Sequence, residues 1–394
     1  MATYYVDYDT GDDTNNGTST STPWKHCPWD AADTGVCAAT TLAAGDVVVY
    51  KGGVTYSGIH DSDSDGTALA RITLKSGHVH TPQWGTTIAV ISGQDYADAI
   101  FELHNDYIDI LDIEICYFAN YGVAINAGNY NRIMRCYIHD RKVGGSGGAE
   151  PIIILSGDYN EIRDNECYNS YWNGINVQNA NYTQVVGNLI HDCVLHSGIN
   201  VFSNTGEYYG MMYGNNIIGN YVYNCAGCYY TRYQGNCLVA NNIFDNTYSS
   251  ASDHAAYLHY GGTGGPTTYD ATGYKFYNNT IYSGKWNITV EGALNAEFKN
   301  NIFSDPAGTY FVNVYLGSTG NVFNRNCYYA ASGTHYWQWL GGGALDFATW
   351  KSTSSQDANS LNTDPGMTNP GGGVFTIGAS SAVKGTGETL ASVA

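Results

Sequence analysis

An Asn followed two residues later by an apolar residue recurs along this chain. The Asn positions are 165, 188, 220, 242, 279, 301 and 326, and the apolar partners are Cys167, Ile190, Val222, Phe244, Ile281, Phe303 and Tyr328. Cys116 and Ile138 extend the apolar column toward the N-terminus, with Glu114 and Cys136 where Asn is expected. Five residues before each member stands another apolar residue: Leu111, Ile133, Ile162, Val185, Ile217, Val239, Phe276, Phe298 and Phe323. Agreement in two columns over nine units marks a repeat array, a solenoid or propeller.

The spacing decides which. Successive units lie 22, 29, 23, 32, 22, 37, 22 and 25 residues apart. A unit of 22 is too short for two helices or a propeller blade. It is rich in Val, Ile, Tyr and Thr with alternating polarity, which is strand chemistry. Three short strands and three turns per unit make one coil of a parallel β-helix. Stacking sets equivalent residues one strand spacing apart, about 4.8 Å, so Asn side chains hydrogen-bond along the stack and apolar columns form the core. Asn also tolerates the left-handed backbone of a tight corner.

A solenoid has no single-core size limit, so 394 residues fit one array. The 48 Gly and 35 Tyr suit stacked strands and turns. A net charge of −19 argues against nucleic acid as a partner and against polyanions unless a cation mediates. No apolar run is long enough for a membrane helix, and no signal peptide precedes Tyr4, as expected for a mature or trimmed form with an added Met1. Ten cysteines lean toward an extracellular setting. Cys193 with Cys225, and Cys27 with Cys37, are candidate disulfides. Zinc at Cys225, Cys228 and Cys237 lacks a fourth ligand at sensible spacing.

Residues 1–45 read as an opening strand and cap, with a short helix near Ala38 to Ala44. Residues 46–330 read as the β-helix, with a first strand over Val47 to Tyr50. Residues 331–394 read as a C-terminal cap holding Trp337, Trp339 and Trp350.

The runs "AAGDVVVYKGGVTYSG", "ARITLKSG" and "AVISG", with the opening "YYVDYDTGDDTNNGTSTSTPWK" and the ending "DPGMTNPGGGVFTIGASSAVKGTG", resemble secreted right-handed parallel β-helix proteins of the pectate-lyase-like superfamily. The resemblance implies an all-β, right-handed parallel β-helix acting on carbohydrate. It names no substrate: a calcium-and-lysine run like "ADGFAAK" and a paired-Asp "GHG" signature are absent, and "GGAEPIIILSG" is only faintly like the Glu-bearing strand of alginate-lyase-type β-helices.

The long units carry the loops "RKVGGSGGAEP", "FSNTGEYYGMMYG" and "SSASDHAAYLHYGGTGGPTTYDATG", and insertions in a solenoid map to loops that wall a binding face. A second strand column sends Asn126, Asn200, Arg232, Glu291 and Asn313 outward, with Asn176 and His259 joining after slippage. It sets Tyr230, Arg232, Tyr257, His259 and Glu291 on neighbouring coils. Arg232 would pair a substrate carboxylate, with His259 and Tyr257 as base and acid. Glu150, Glu207, Asp253 and Glu291 are carboxylates suited to hydrolysis. Trp172, Tyr208, Tyr209 and Tyr229 are candidates for stacking on sugars, and His196 and His254 stand at loop mouths. Asp140 and Asp192, in matching "IHD" repeats, read as a polar turn ladder.

Asp61, Asp63 and Asp65 before Gly66 form an alternating carboxylate turn suited to Ca²⁺, without the twelfth-position Glu of an EF-hand; no organic cofactor is expected. Cleavage of a polysaccharide or oligosaccharide follows as the expected activity. β-Elimination on a uronate glycan is slightly favoured, with a two-carboxylate hydrolase as the alternative and a non-catalytic glycan-binding or tailspike-like protein third. A secreted monomer is expected, with a trimer left open.

Overall fold

The computed structural model describes residues 1–93, 98–141, 148–203, 211–247, 255–259 and 272–390. The chain divides into two compact units, Met1–Leu189 and Ile190–Ala394. In each, every coil gives one short strand to each of three parallel sheets, here called A, B and C.

In the first unit, sheet A stacks Thr3–Val6, Val47–Tyr50, Ile72–Ser76, Ile108–Leu111, Arg132–Met134, Glu161–Arg163 and Gln184–Val186. Its inward column runs through Ile110, Ile133, Ile162 and Val185. Sheet C sets Ile115, Ile138 and Cys167 in register. The first repeat unit is therefore one residue out from the expected frame: Ile110 and Ile115, not Leu111 and Cys116, occupy the columns. A one-residue slip would turn those side chains to the opposite face. In the second unit the columns are Ile217, Val239, Phe276, Phe298 and Phe323 in sheet A. Sheet C carries Val222, Phe244, Ile281, Phe303 and Tyr328. These column residues are all buried, each contributing about 1.5–3 kcal/mol of hydrophobic stabilisation.

The Asn ladder runs along the turn between A and C. Asn279 illustrates it: its Oδ1 accepts from the N–H and Nδ2 of Asn242, both at 3.0 Å, while its own Nδ2 donates to Val239 O at 2.9 Å. Asn301 and Asn326 continue the pattern. The left-handed residue is not the ladder Asn but the one before it: Asp164, Asn241, Asn278, Asn300 and Arg325 have φ of 55°, 59°, 54°, 58° and 60°, and Arg135, before Cys136, has 54°. The corner thus needs one residue to turn the chain and the next to satisfy its buried donors. A second polar ladder, unforeseen from the repeat, lies between B and A, where Asn131 Oδ1 accepts from Ile108 N and Asn160 Oδ1 from Asn131 N, each at 2.8 Å.

The N-terminal helix spans Gly35–Ala38, earlier than expected. At the other end, helix Phe347–Ser354 brings Trp350 inward, fully buried with Trp337. Asp357 takes the place of a further coil. It accepts from Asn326 Nδ2 at 3.1 Å, Tyr328 Oη at 2.9 Å and Trp350 Nε1 at 2.8 Å.

Candidate functional site

In sheet B the inward residues fill the core, and the outward residues are also largely buried. In the first unit Ala99, Ala124 and Ile153 form a small apolar floor, flanked by Tyr121 and Leu155. Glu150 opens the strand Glu150–Ser156 at its edge, directly opposite Tyr121 on the preceding coil. The residue is 2% exposed. Its Oε1 accepts from Asn173 Nδ2 at 2.5 Å and from Asn176 Nδ2 at 3.0 Å, and Asn176 Nδ2 also reaches Oε2 at 3.0 Å. Burial outweighs those hydrogen bonds and pushes the carboxyl up to about 7.

Aromatic and polar side chains surround it. Trp172 stands 40% exposed, its backbone N–H donating to Ala149 O at 3.2 Å. Gly148 lies against the Trp172 ring, where a Cβ would come within 3.1 Å. Arg141 sits 4.1 Å over the Tyr171 ring. Asp98 accepts from Asn120 Nδ2 at 3.2 Å, and the Glu150 N–H donates to Asn120 O at 2.8 Å. The Tyr121 phenol is raised by burial, then by the nearby Glu150 and Asp98 charges. Apolar floor, convergent polar groups and one displaced carboxyl are the marks of a binding or catalytic pocket.

In the second unit, Phe202, Arg232, His259 and Glu291 form one register column, and Asn200, Tyr230, Tyr257, Thr289 and Asn313 another. Arg232, His259 and Glu291 thus share a column as expected, whereas Asn200 and Asn313 lie two residues along, still outward because a two-residue shift preserves the face. Asn176 and Asn126 belong to first-unit strands, paired with Ile153 and Ser156. The Arg232 guanidinium lies 4.9 Å over the Tyr233 ring, and its Nε is buried with no hydrogen-bond partner among the described residues. His196 meets Tyr230 edge-on at 6.0 Å.

Other expectations place differently. Tyr229 is no sugar platform: it is 1% exposed in the core, with its hydroxyl 2.6 Å from that of Tyr274. Asp140 and Asp192, in keeping with a polar turn ladder, are left-handed corner residues that accept from Asn169 and Asn224 of the next coils and lie 3.0 and 2.7 Å from the Nδ1 of His139 and His191. Glu207, Tyr208, Tyr209, Asp253 and His254 lie outside the described residues, as do the side chains of Tyr257 and His259. The Asp61, Asp63 and Asp65 carboxylates face different partners. Trp29 Nε1 donates to Asp63 at 2.8 Å, Asn105 Nδ2 donates to Asp65 at 3.0 Å, and His104 Nε2 lies 3.4 Å from Asp61. Among the described residues no group of three or more His, Cys, Asp or Glu gathers into a cation site. All ten cysteines are buried and unbridged, including both candidate pairs. A separate cavity of about 470 Å³ at an A–C corner is lined by Asp112, Arg135 and Asp164 but by none of the expected site residues. Its Arg135 is already committed to Asp112 at 2.7 Å.

Three groups around Glu150 were not foreseen: Asn173, Tyr121 and Asp98. A Glu at the head of the apolar run "EPIIIL", one coil before "WNGIN", was the available signal for the first of them.

Fold and ladder together define a right-handed parallel β-helix, and a family model for the right-handed β-helix region matches residues 85–263. Similar solved structures include a GH136 lacto-N-biosidase from Eubacterium ramulus (TM-score 0.66, 13% identity, 92% of this chain and 67% of that one). Pectate lyase Pel9A is also similar (TM-score 0.55, 12% identity, 100% and 93%), as is a rhamnogalacturonan lyase (TM-score 0.52, 15% identity, 93% and 91%). At such identities the likeness is one of fold. A comparison with curated proteins finds no sequence match.

Proposed function

We propose that the protein hydrolyses glycosidic bonds on the outer face of sheet B in its first unit, with Glu150 as proton donor. The observation that carries this reading is a carboxyl held near 7 by burial between Asn173 and Asn176. A carboxylic acid that keeps its proton close to neutrality can pass it to a departing sugar oxygen. The Trp172 ring offers a stacking surface beside it.

The test is a panel of nitrophenyl lacto-N-bioside, nitrophenyl xyloside, rhamnogalacturonan and pectate, with and without Ca²⁺. New reducing ends without an unsaturated uronate chromophore, lost in Glu150→Gln, support hydrolysis. Chromophore formation unaffected by Glu150→Gln moves the activity elsewhere.

A second reading, β-elimination in the second unit, is favoured by the buried Nε of Arg232, which has no hydrogen-bond partner among the described residues, in register with His259 and Glu291. There Arg232 would neutralise a uronate carboxylate. Loss of the chromophore in Arg232→Lys would support it.

A further inference from the structure

We propose that four stacked tyrosines at the corner between sheets B and A of the first unit form a strip that holds an extended neutral polysaccharide along the axis of the coils. The strip is separate from the Glu150 site and independent of that reading. Tyr107, Tyr130, Tyr159 and Tyr182 stand two residues ahead of the sheet A row Asp109, Arg132, Glu161 and Gln184. Their rings lie face to face, with centroids 4.8, 4.9 and 4.8 Å apart and planes 1°, 4° and 8° from parallel. Tyr130, Tyr159 and Tyr182 are 38%, 46% and 45% exposed.

The turn itself does not account for these rings. All four tyrosines are left-handed, with φ of 58°, 58°, 59° and 55°, a conformation that a bulky side chain disfavours. In the second unit the same corner lies two residues ahead of Asn216, Leu238, Lys275, Glu297 and Val322. There Gly214, Asn236, Gly273, Asn295 and Gly320 make the turn, the residue types most at ease in that conformation. Stacking offsets part of the strain, but it needs no hydroxyl. None of the four phenol oxygens has a hydrogen-bond partner among the described residues.

The chemistry of the strip selects its ligand. The ring faces are occupied by one another. What remains is a row of ring edges, the positive part of the aromatic quadrupole, and a row of O–H donors. Both attract oxygen acceptors that repeat at the coil spacing. A sugar chain lying parallel to the axis offers hydroxyl and ring oxygens at close to that repeat, one sugar per coil. Its neutrality follows from the flanking charge. Asp106 and Asp158 alternate with Asn129 and Asn181 beside the tyrosines and accept from the Asn129 and Asn181 N–H at 2.7 and 2.8 Å. Arg71, 5.6 Å over the Tyr107 ring, is already engaged by Asp109 at 2.5 Å and by Tyr130 O.

The experiment measures depletion of the full chain from solution by insoluble cellulose, xylan and mannan, with pectate as the acidic comparison. The parent should be retained by at least one neutral polymer and not by pectate. Binding needs no turnover, so Glu150→Gln should be retained equally, and failure of the Glu150 reading would leave this result standing. The Tyr130→Asn/Tyr159→Asn variant keeps a residue suited to the turn and should bind about tenfold more weakly. Its kcat/KM on a soluble aryl glycoside should stay within about twofold of the parent. Tyr130→Phe/Tyr159→Phe keeps the stack, removes two donors, and should still lose at least about threefold in binding. Retention by no neutral polymer, retention by pectate alone, or unchanged binding in both double variants overturns the proposal. A parent that sediments as a dimer, and a double variant that sediments as a monomer, would assign the strip to a second copy of this chain and overturn it as well.

Discussion

Glu150 couples the site's chemistry to the stability of the chain. Its carboxyl titrates near 7 in the folded protein against an ordinary value of 4.5. The folded value is the higher one, so the protonated form favours folding. That contribution is complete below about pH 4.5 and is lost as pH rises through about 7, a swing of roughly 3 kcal/mol. Glu150→Gln keeps the shape and removes the ionisation. Its thermal midpoint should match the parent near pH 4 and exceed it by several degrees at pH 8, while acid-dependent activity falls roughly 10²–10⁴-fold. A midpoint difference that does not change with pH would show that the buried carboxyl is not the titrating group.

At the level of the coil, the two corner positions should respond differently to mutation. Asn279→Ala removes the acceptor of the Asn242 N–H and the Nδ2 donor to Val239 O in the interior, while Asn301 Oδ1 keeps the backbone N–H of residue 279, and should cost about 2–4 kcal/mol in urea unfolding. Asn278→Gly, one residue earlier at φ 54°, should be neutral or stabilising, and Asn278→Val should cost about 1–2 kcal/mol. Equal effects at 278 and 279 would refute the division of labour between turning and satisfying. The sequence made the coil length and the inward columns legible because apolar stacking repeats in every unit. It misplaced the first unit by one residue, because Leu111 and Ile110, and Cys116 and Ile115, are equally apolar neighbours and only register separates them. The site was less legible. Glu150 and Asn176 could be named from loop and strand patterns, but Asp98 and Tyr121 come from coils without a long insertion and are joined to Glu150 only by stacking.

At the scale of the whole molecule, the ten cysteines stand buried and unbridged among the described residues. Burial pushes the thiols of Cys27, Cys116, Cys136, Cys237 and Cys327 up to about 12, which suppresses the reactive thiolate. A thiol reagent at neutral pH should therefore find no fast-reacting cysteine in the folded protein and all ten after denaturation. Eight or fewer in denaturant would show that bridges form in the purified protein.

The Asn ladder also has a direction. Each amide reaches back to the coil before it, and at Asn326 the donors that would meet a further coil are met by Ser360 and Asp357. Asp357 therefore acts as a stop signal for a growing stack. A chain ending before Asp346 would keep a complete final rung with open edges on all three sheets, a template for the first rung of another molecule. Such a truncation should form end-to-end filaments in sedimentation experiments, whereas Asp357→Asn in the full chain, still capped by the Trp350 helix, should stay dispersed.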